Sequence, residues 1–179
     1  CSAFSSFVVF FAHDRDGMMS ITYWLMGSLA GANWGNIAVI LPLVILCVFF
    51  FITQYRVLNL MLLGDEVSIT LGTDLHKYRN FYLLVTSLMI GFIVYASGMI
   101  GFVGLIIPHV VRILVGTDHK KLIPISCLMG AILLVWADVL CRVMIKGTEL
   151  PIGILISMIG APCFIYLMAK KSYGFGGKD

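Results

Sequence analysis

The sequence predicts an all-α protein, a polytopic bundle of membrane-spanning helices. Hydrophobic residues make up 60% of the chain and charged residues 12%, whereas an average soluble domain has roughly 45–50% apolar and about 25% charged residues. The mean hydropathy is +1.03 over 179 residues. Long apolar runs alternate with short polar segments, and a helix needs about 20 apolar residues to cross a bilayer. From the runs we expect about five full spans, a truncated first span and short interrupted helices.

The first spans lie on either side of a polar break. Residues 1–12 are apolar but too short to cross roughly 30 Å of hydrocarbon, so we interpret them as the second half of a span. The segment HDRDG (13–17) then carries charges and a glycine, which predicts exposure to water.

Residues 18–55 carry no charge and are too many for one helix. The segment WLMGSLAGANW (24–34) divides them with glycines and two tryptophans. Tryptophan favours the membrane interface, so we expect a short interfacial or re-entrant piece there. Residues 36–53 then form a full span, with Pro42 as a kink.

Residues 56–80 form the longest polar interruption. Apolar residues recur in it at helical spacing, and two acids follow Gly64. Because a helix dipole favours acids in the first turn, this pattern predicts a short amphipathic helix. The residues of the pattern are Leu60, Leu63, Asp65, Glu66, Val67 and Leu71.

The remaining spans follow in the same way. Residues 81–111 exceed one crossing, so we expect a turn near 97–101 and a short second span perturbed by Pro108. Residues 122–145 and 154–169 are further spans, joined by polar turns at 116–121 and 147–153. The last ten residues, KKSYGFGGKD, are expected to be a solvated tail.

Basic residues in the loops predict the orientation. One side carries most of the lysines and arginines, and the richer side of a membrane protein is cytoplasmic. We therefore expect the 56–80 loop, the 116–121 turn and the C-terminus inside the cell, and 13–17 and 147–153 outside. The richer side holds Arg56, Lys77, Arg79, Lys120, Lys121, Lys170, Lys171 and Lys178; the other holds Arg15, Arg142 and Lys146.

Several kinds of site are disfavoured by the sequence. The five cysteines show no CxxC spacing and lie mostly in apolar runs, where cysteine behaves as a small hydrophobe. His109 has no second ligand at metal-binding spacing, so we expect no metal. No run of lysine or arginine indicates nucleic acid.

Several segments carry a pattern in register along the chain: WLMGSLAGANW, LNLMLLGDEVSITLG, GFVGLIIPHVVRILVGTDHKKLIPIS, GAILLVWADVLCR and ELPIGILISMIGAPCFIYLM. Together they resemble the C-terminal half of FecCD-type permeases, the membrane subunits of ATP-binding-cassette (ABC) importers. The family's permease has ten spans, so the resemblance implies that residues 1–179 are a single transmembrane domain from a longer chain. It also implies import of an iron–siderophore, haem or cobalamin across a bacterial or archaeal cytoplasmic membrane.

The resemblance implies partners as well. A second permease copy would form a homodimer or pseudo-dimer, cytoplasmic ATPase subunits would supply energy, and an extracytoplasmic binding protein would deliver the cargo. The chain has no phosphate-binding GxxxxGK[ST] loop. It is therefore expected to be no enzyme and to bind no cofactor, with ATP and Mg²⁺ used by the partner ATPase.

Site residues follow from the same resemblance. The segment of the 56–80 loop that resembles the family's ATPase-coupling helix contains Leu63, Gly64, Asp65, Glu66, Leu71 and Gly72. Arg142 matches an arginine that docks the binding protein, and Glu149 is expected on the same outer surface. Gly98, Gly101, Gly104, Pro108 and His109 are interpreted as helix-packing or pathway residues, packing first.

Other interpretations remain for each feature. The 65–71 helix could lie on lipid, and Arg142 could simply pair with Asp138 four residues earlier. For the whole chain, the alternatives are an ion-coupled secondary transporter and, more weakly supported, an intramembrane enzyme. The enzyme needs paired catalytic groups at depth, and Asp138 is the only carboxylate within an apolar span.

Overall fold

The structure is a computed structural model that describes residues 7, 10, 15–70, 72, 75–144 and 150–172. At residues 15, 66, 69, 168 and 170–172 it describes the backbone alone. Residues 1–6, 8, 9, 11 and 12 of the truncated first span, residues 147–149 of the predicted 147–153 turn and the end of the C-terminal tail lie outside the described residues.

The described part of the chain is helical and contains no strand. Its helices are α1 (Arg15–Met26), α2 (Trp34–Thr53), α3 (Tyr55–Met61), α4 (Asp65–Thr70), α5 (Leu75–Ser97), α6 (Val103–Val115), α7 (His119–Met144) and α8 (Ile152–Ser172). The predicted all-α fold class is confirmed.

Three of these helices, α2, α5 and α7, are long and apolar enough to cross a membrane. Two shorter apolar helices, Val103–Val115 and Ile152–Leu167, lie where two further spans were predicted. The predicted turn near 97–101 is confirmed, because α5 ends at Ser97 and α6 begins at Val103. The chain is thus a multi-pass, membrane-embedded protein.

Helix ends reach farther into polar segments than hydropathy predicted. Helix α1 begins within the expected polar break at Arg15, α5 begins at Leu75 rather than near residue 81, and α8 continues to Ser172. Hydropathy marks where a helix is surrounded by lipid, but backbone hydrogen bonding continues in water. Long basic side chains also extend from an apolar stem toward the aqueous interface.

Prolines interrupt four of the helices without ending them. They are Pro42 in α2, Pro108 in α6, Pro124 in α7 and Pro162 in α8. A proline has no backbone N–H to donate to the carbonyl four residues earlier, so each helix lacks one internal hydrogen bond.

The chain forms two compact units, which are described separately. The first contains the described residues of Cys1–Gly31, Ser97–Ile106 and Ile132–Asp179. Its core consists of Ala137, Cys141, Ile152 and Ile156, none more than 5% exposed. Partly buried side chains such as Ile100 and Leu150 pack around them.

Two non-helical breaks of the first unit and the first turn of α8 meet at a glycine junction, which we define as Gly27, Gly98 and Gly153. The N–H of Ser28 donates to the Ser97 carbonyl at 2.9 Å, and the N–H of Met99 donates to the Trp24 carbonyl at 3.2 Å. The N–H of Gly153 donates to the Gly27 carbonyl at 3.4 Å. Peptide groups that leave one helix are therefore paired with those that leave another.

Glycine is required at this junction because the backbones are too close for a side chain. A Cβ atom at Gly98 would overlap the Trp24 carbonyl oxygen, and one at Gly153 would overlap the Met26 carbonyl oxygen. Gly98 also has φ +70°, a left-handed conformation that disfavours other residues.

The second unit contains Ala32–Ala96 and Ile107–Ala131. Asn33 caps α2, since its side-chain oxygen accepts from the Asn36 N–H at 2.8 Å. At the other end of α2, the rings of Phe50 and Phe51 pack edge-on against Tyr82 of α5. The Tyr82 hydroxyl donates to the Gln54 side-chain oxygen at 3.0 Å, so the join between α2 and α3 is held against α5.

We expect Gly98→Ala to lower the free energy of unfolding by about 3 kcal/mol, because left-handed strain and overpacking each cost roughly 1–2 kcal/mol. Gly104→Ala is the matched control, since a Cβ there meets nothing within 4 Å and alanine favours helix. Denaturant titration in detergent micelles measures both variants. Equal losses in the two would contradict the assignment of close backbone contact to Gly98.

Candidate functional site

The segment between two candidate spans, α2 and α5, folds into an elbow, which we define as residues 54–70. Helix α3 ends in a tightened turn, where the N–H of Leu62 donates to the Asn59 carbonyl and that of Leu63 to the Leu60 carbonyl. Gly64 follows with φ +91°. The left-handed conformation separates α3 from α4, which begins at Asp65.

Ser68 locks the inner side of the elbow. It is fully buried, and its hydroxyl donates to the Gly64 carbonyl at 2.7 Å. The Leu60 carbonyl lies 3.5 Å from the same hydroxyl. Loss of its hydrogen bond would leave a buried polar group unsatisfied, which is energetically costly. This contact therefore fixes α4 relative to the end of α3.

An ion pair joins the elbow to α5. A guanidinium nitrogen of Arg79 lies 2.8 Å from a carboxylate oxygen of Asp65. The two side chains are 48% and 60% exposed, respectively. An exposed pair of this kind contributes about 1 kcal/mol or less, so the ion pair orients α4 weakly.

A second contact, the Asn59 bridge, joins the elbow to the turn between α6 and α7. The Asn59 amide nitrogen donates to an Asp118 carboxylate oxygen at 2.8 Å. The Asn59 amide oxygen accepts from the His119 backbone N–H at 2.9 Å and lies 2.7 Å from the His119 Nδ1. One side chain therefore uses both ends of its amide on neighbouring residues about 60 positions away.

Asp118 is suited to this role by its position at the start of α7. Its carboxylate also accepts from the Lys120 backbone N–H at 3.1 Å, as a helix-capping residue does. The hydrogen bond from Asn59, then that from Lys120, and the charges of Lys121 and Lys120 lower the pKa of Asp118 below its usual value. The bridge thus stabilises an ionised carboxylate.

Tyr55 makes a further link between the same two elements. The Lys120 ammonium lies 5.8 Å from the centre of the Tyr55 ring. The Arg56 guanidinium lies 5.7 Å from it and donates to the Tyr55 hydroxyl at 3.0 Å. Both distances fall in the range of cation–π attraction.

Arg142 lies in the last turn of α7 and belongs to the first unit. Its Nε donates to an Asp138 carboxylate oxygen at 2.8 Å. The Arg142 side chain is 50% exposed and that of Asp138 is 25% exposed. The carboxylate therefore orients the Arg142 side chain, half of whose surface is exposed.

The other residues singled out from the sequence are distributed differently. Leu63 is exposed, and Gly72 is exposed with φ +76°. Gly101 and Gly104 have open space where a Cβ would lie, while Pro108 and His109 are half-buried in α6.

Leu71 and Glu149 lie outside the described residues, as does the side chain of Glu66. Among the side chains described, no three His, Cys, Asp or Glu residues form a metal-binding group.

With this geometry established, comparison with known proteins gives a consistent result. The sequence pattern of the FecCD transport family matches residues 1–170. The chain belongs to the FecCD transport family. The predicted resemblance is confirmed, and with it the assignment to a family of non-enzymatic transport subunits.

Individual relatives agree with this assignment. The chain is 40% identical to the ABC transporter permease protein YvrB of Bacillus subtilis over 96% of its own length and 48% of the relative. It is 42% identical to the iron(3+)-hydroxamate import system permease protein FhuG of Bacillus subtilis, over 89% of this chain and 47% of that protein. The chain therefore spans about half the length of the curated relatives it matches.

A solved structure matches the fold. A chain described as an inward-facing conformation of a metal-chelate type ABC transporter superposes with a TM-score of 0.87 and 34% sequence identity. The match covers 94% of this chain and 55% of the solved one.

Sequence reasoning missed several residues that organise these sites. Asn59, Ser68, Asp118 and His119 lie in segments that were noted, yet none was singled out. An asparagine within the apolar run RVLNLMLL is the only signal that pointed to the bridge. At the glycine junction, Gly98 was singled out but Gly153 was not, because its partners lie far away in sequence.

We expect the Asn59 bridge to weaken in acid. A carboxylate whose pKa is lowered in the folded state stabilises that state above its unfolded pKa, near 3.8, and loses this effect as the pH falls through the lowered value. Wild type should therefore unfold at a higher temperature than Asp118→Asn at pH 5–7, with the difference vanishing below the lowered pKa. A difference that is independent of pH would contradict the assignment. Thermal unfolding in detergent from neutral to acidic pH measures it.

Proposed function

We propose that this chain is the C-terminal part of a permease subunit of an ABC importer for an iron–siderophore or a related metal chelate, such as haem or cobalamin. The observation that carries the proposal is the elbow: a short, rigid helix pair held between two candidate spans in a member of a transport family. Such a piece passes a rigid-body movement of a neighbouring subunit to the helices on either side of it.

The elbow is suited to coupling by its internal stiffness. Buried Ser68 ties α4 to α3, and Tyr82 ties the join between α2 and α3 to α5. Leu62, Leu63 and Val67 are exposed around Gly64. This apolar surface next to Asp65 fits a groove in a protein better than an anionic membrane surface, which attracts basic segments.

Energy comes from separate cytoplasmic ATPase subunits in this proposal. The loop charges favour a cytoplasmic elbow and C-terminus. A second permease copy completes the pathway. Helices α2 and α5 support this part of the proposal, because only 6% of the residues in the most apolar stretch of each are buried inside the chain. Their exposed apolar surface is available to contact a second copy. The remaining apolar surface faces lipid or protein.

Arg142 is proposed to dock an extracytoplasmic binding protein. An oriented guanidinium on a half-exposed side chain attracts an acidic residue on a partner and sets the docking geometry and encounter rate more than the affinity. Glu149 is proposed for the same surface on the basis of its sequence position alone.

The experiment for the function is ATP-driven uptake in liposomes that contain the complete transporter. We expect Gly64→Val to lower uptake per ATP hydrolysed about tenfold, since a β-branched residue at positive φ costs roughly 1–2 kcal/mol. Gly64→Asn is the matched control and should retain more uptake, because asparagine tolerates the left-handed conformation. A Cβ at Gly64 meets nothing within 4 Å, so steric overlap does not confuse the comparison.

Two outcomes would contradict the proposal. Uptake that requires no ATPase subunit and follows a proton gradient would favour a secondary transporter. Equal uptake per ATP hydrolysed in wild type and Gly64→Val would show that the elbow does not couple ATP hydrolysis to transport.

We expect Arg142→Glu to slow association with the binding protein roughly tenfold, through loss of charge complementarity. Arg142→Lys keeps the charge and should have a smaller effect. Asp138→Asn removes the carboxylate that orients Arg142 but keeps the positive charge, and should slow association less than Arg142→Glu does. Binding kinetics on transporters in lipid nanodiscs measure all three. An unaltered rate for Arg142→Glu would exclude the docking role.

A further inference from the structure

We propose that Asn59 is a positioning residue that transmits movement of the elbow to the start of α7. This inference rests on the proposed function, because it assumes that an ATPase moves the elbow. It adds a route that the covalent connections of the elbow do not provide.

Along the chain, the elbow is connected to α2 and α5 but not to α7. Helix α3 follows α2 after Gln54, and α4 precedes α5. A push on α4 would therefore reach α7 only through side-chain contacts. The Asn59 bridge is such a contact, and it reaches the residues at which α7 begins.

The bridge has the geometry of a rigid connection. The Asn59 amide plane is fixed at both ends, by the Asp118 carboxylate at 2.8 Å and by the His119 N–H at 2.9 Å. The hydrogen bond to Asp118 is charge-assisted, which makes it stronger than one between neutral groups. The His119 contact attaches the bridge to backbone, so displacement of Asn59 acts on the helix itself rather than on a flexible side chain.

The neighbouring contacts make the elbow move as one piece. Ser68 fixes α4 to the end of α3, one turn from Asn59. Lys120 over the Tyr55 ring supplies a second, weaker link in parallel with the bridge. The Asp65–Arg79 pair toward α5 is largely exposed and screened by water. The Asn59 bridge adds two part-buried contacts with His119 to its exposed hydrogen bond with Asp118, so it is firmer than the Asp65–Arg79 pair.

An exchange of the two side chains tests the bridge. Asn59→Asp replaces the hydrogen bond to Asp118 with repulsion between two carboxylates, which drives the side chain at position 59 away from the start of α7. Asp118→Asn alone keeps an oxygen that accepts from Asn59. In the double variant, the carboxylate introduced at position 59 accepts from the amide introduced at position 118 and from the His119 N–H. The bridge is therefore rebuilt, with its negative charge at position 59 instead of position 118.

The measurements are uptake per ATP hydrolysed and amide hydrogen exchange, with and without ATP, on the complete transporter complex in nanodiscs. In wild type, ATP should change exchange at residues 55–70 and at 116–122. In Asn59→Asp, the change should remain at 55–70 and disappear at 116–122, with uptake per ATP reduced about tenfold, as expected for loss of a charge-assisted hydrogen bond. In the double variant, uptake per ATP hydrolysed should recover to within about twofold of its value in Asp118→Asn.

Other results would overturn the inference. An ATP-dependent change at 116–122 that persists in Asn59→Asp, or a double variant that recovers nothing, shows that the bridge does not transmit movement. If wild type takes up cargo with ATP but shows no change at 116–122, the inference fails while the proposed function stands. If wild type shows neither ATP-driven uptake nor a change at 55–70, the proposed function fails and the inference with it. Should Asn59→Asp prevent assembly, Asn59→Ser is measured in its place and interpreted in the same way.

Discussion

Lipid offers no hydrogen-bond partner to a peptide group, so every break in a membrane helix must be paired within the protein. The first unit meets much of this requirement with backbone groups. The chain leaves its helices after Met26, after Ser97 and before Ile152, and the freed groups donate to one another across the glycine junction. Side chains would prevent the approach that this pairing needs, which explains why glycine occupies all three positions.

The second unit meets its polar requirements with side chains instead. Gln54, Asn59 and Ser68 each complete hydrogen bonds where the elbow leaves helical geometry. Their positions hold α3 and α4 against α5 and against the turn before α7. The stiffness that the coupling proposal needs therefore comes from three uncharged polar residues, whereas the charged residues on the elbow surface contribute little to it.

Much of this arrangement could be predicted from the sequence, for clear physical reasons. Apolar runs predict spans because lipid tolerates little else, and the acids after Gly64 predicted the start of α4 at Asp65. The helix ends at Leu75 and Ser172 were misjudged because hydropathy measures surroundings and not backbone hydrogen bonds. The pairing of Asn59 with Asp118 could not be predicted, since it depends on how helices far apart in sequence pack. The same holds for the contact between Gly153 and Met26.

The prolines inside α2, α6, α7 and α8 have a consequence for mechanics. Each leaves one carbonyl oxygen without its usual intrahelical donor, at Ala38, Gly104, Lys120 and Met158. A helix bends most easily where one of its backbone hydrogen bonds is missing. Bending of each of these four helices is therefore concentrated at one fixed position along its own axis, while the segments on either side stay straight.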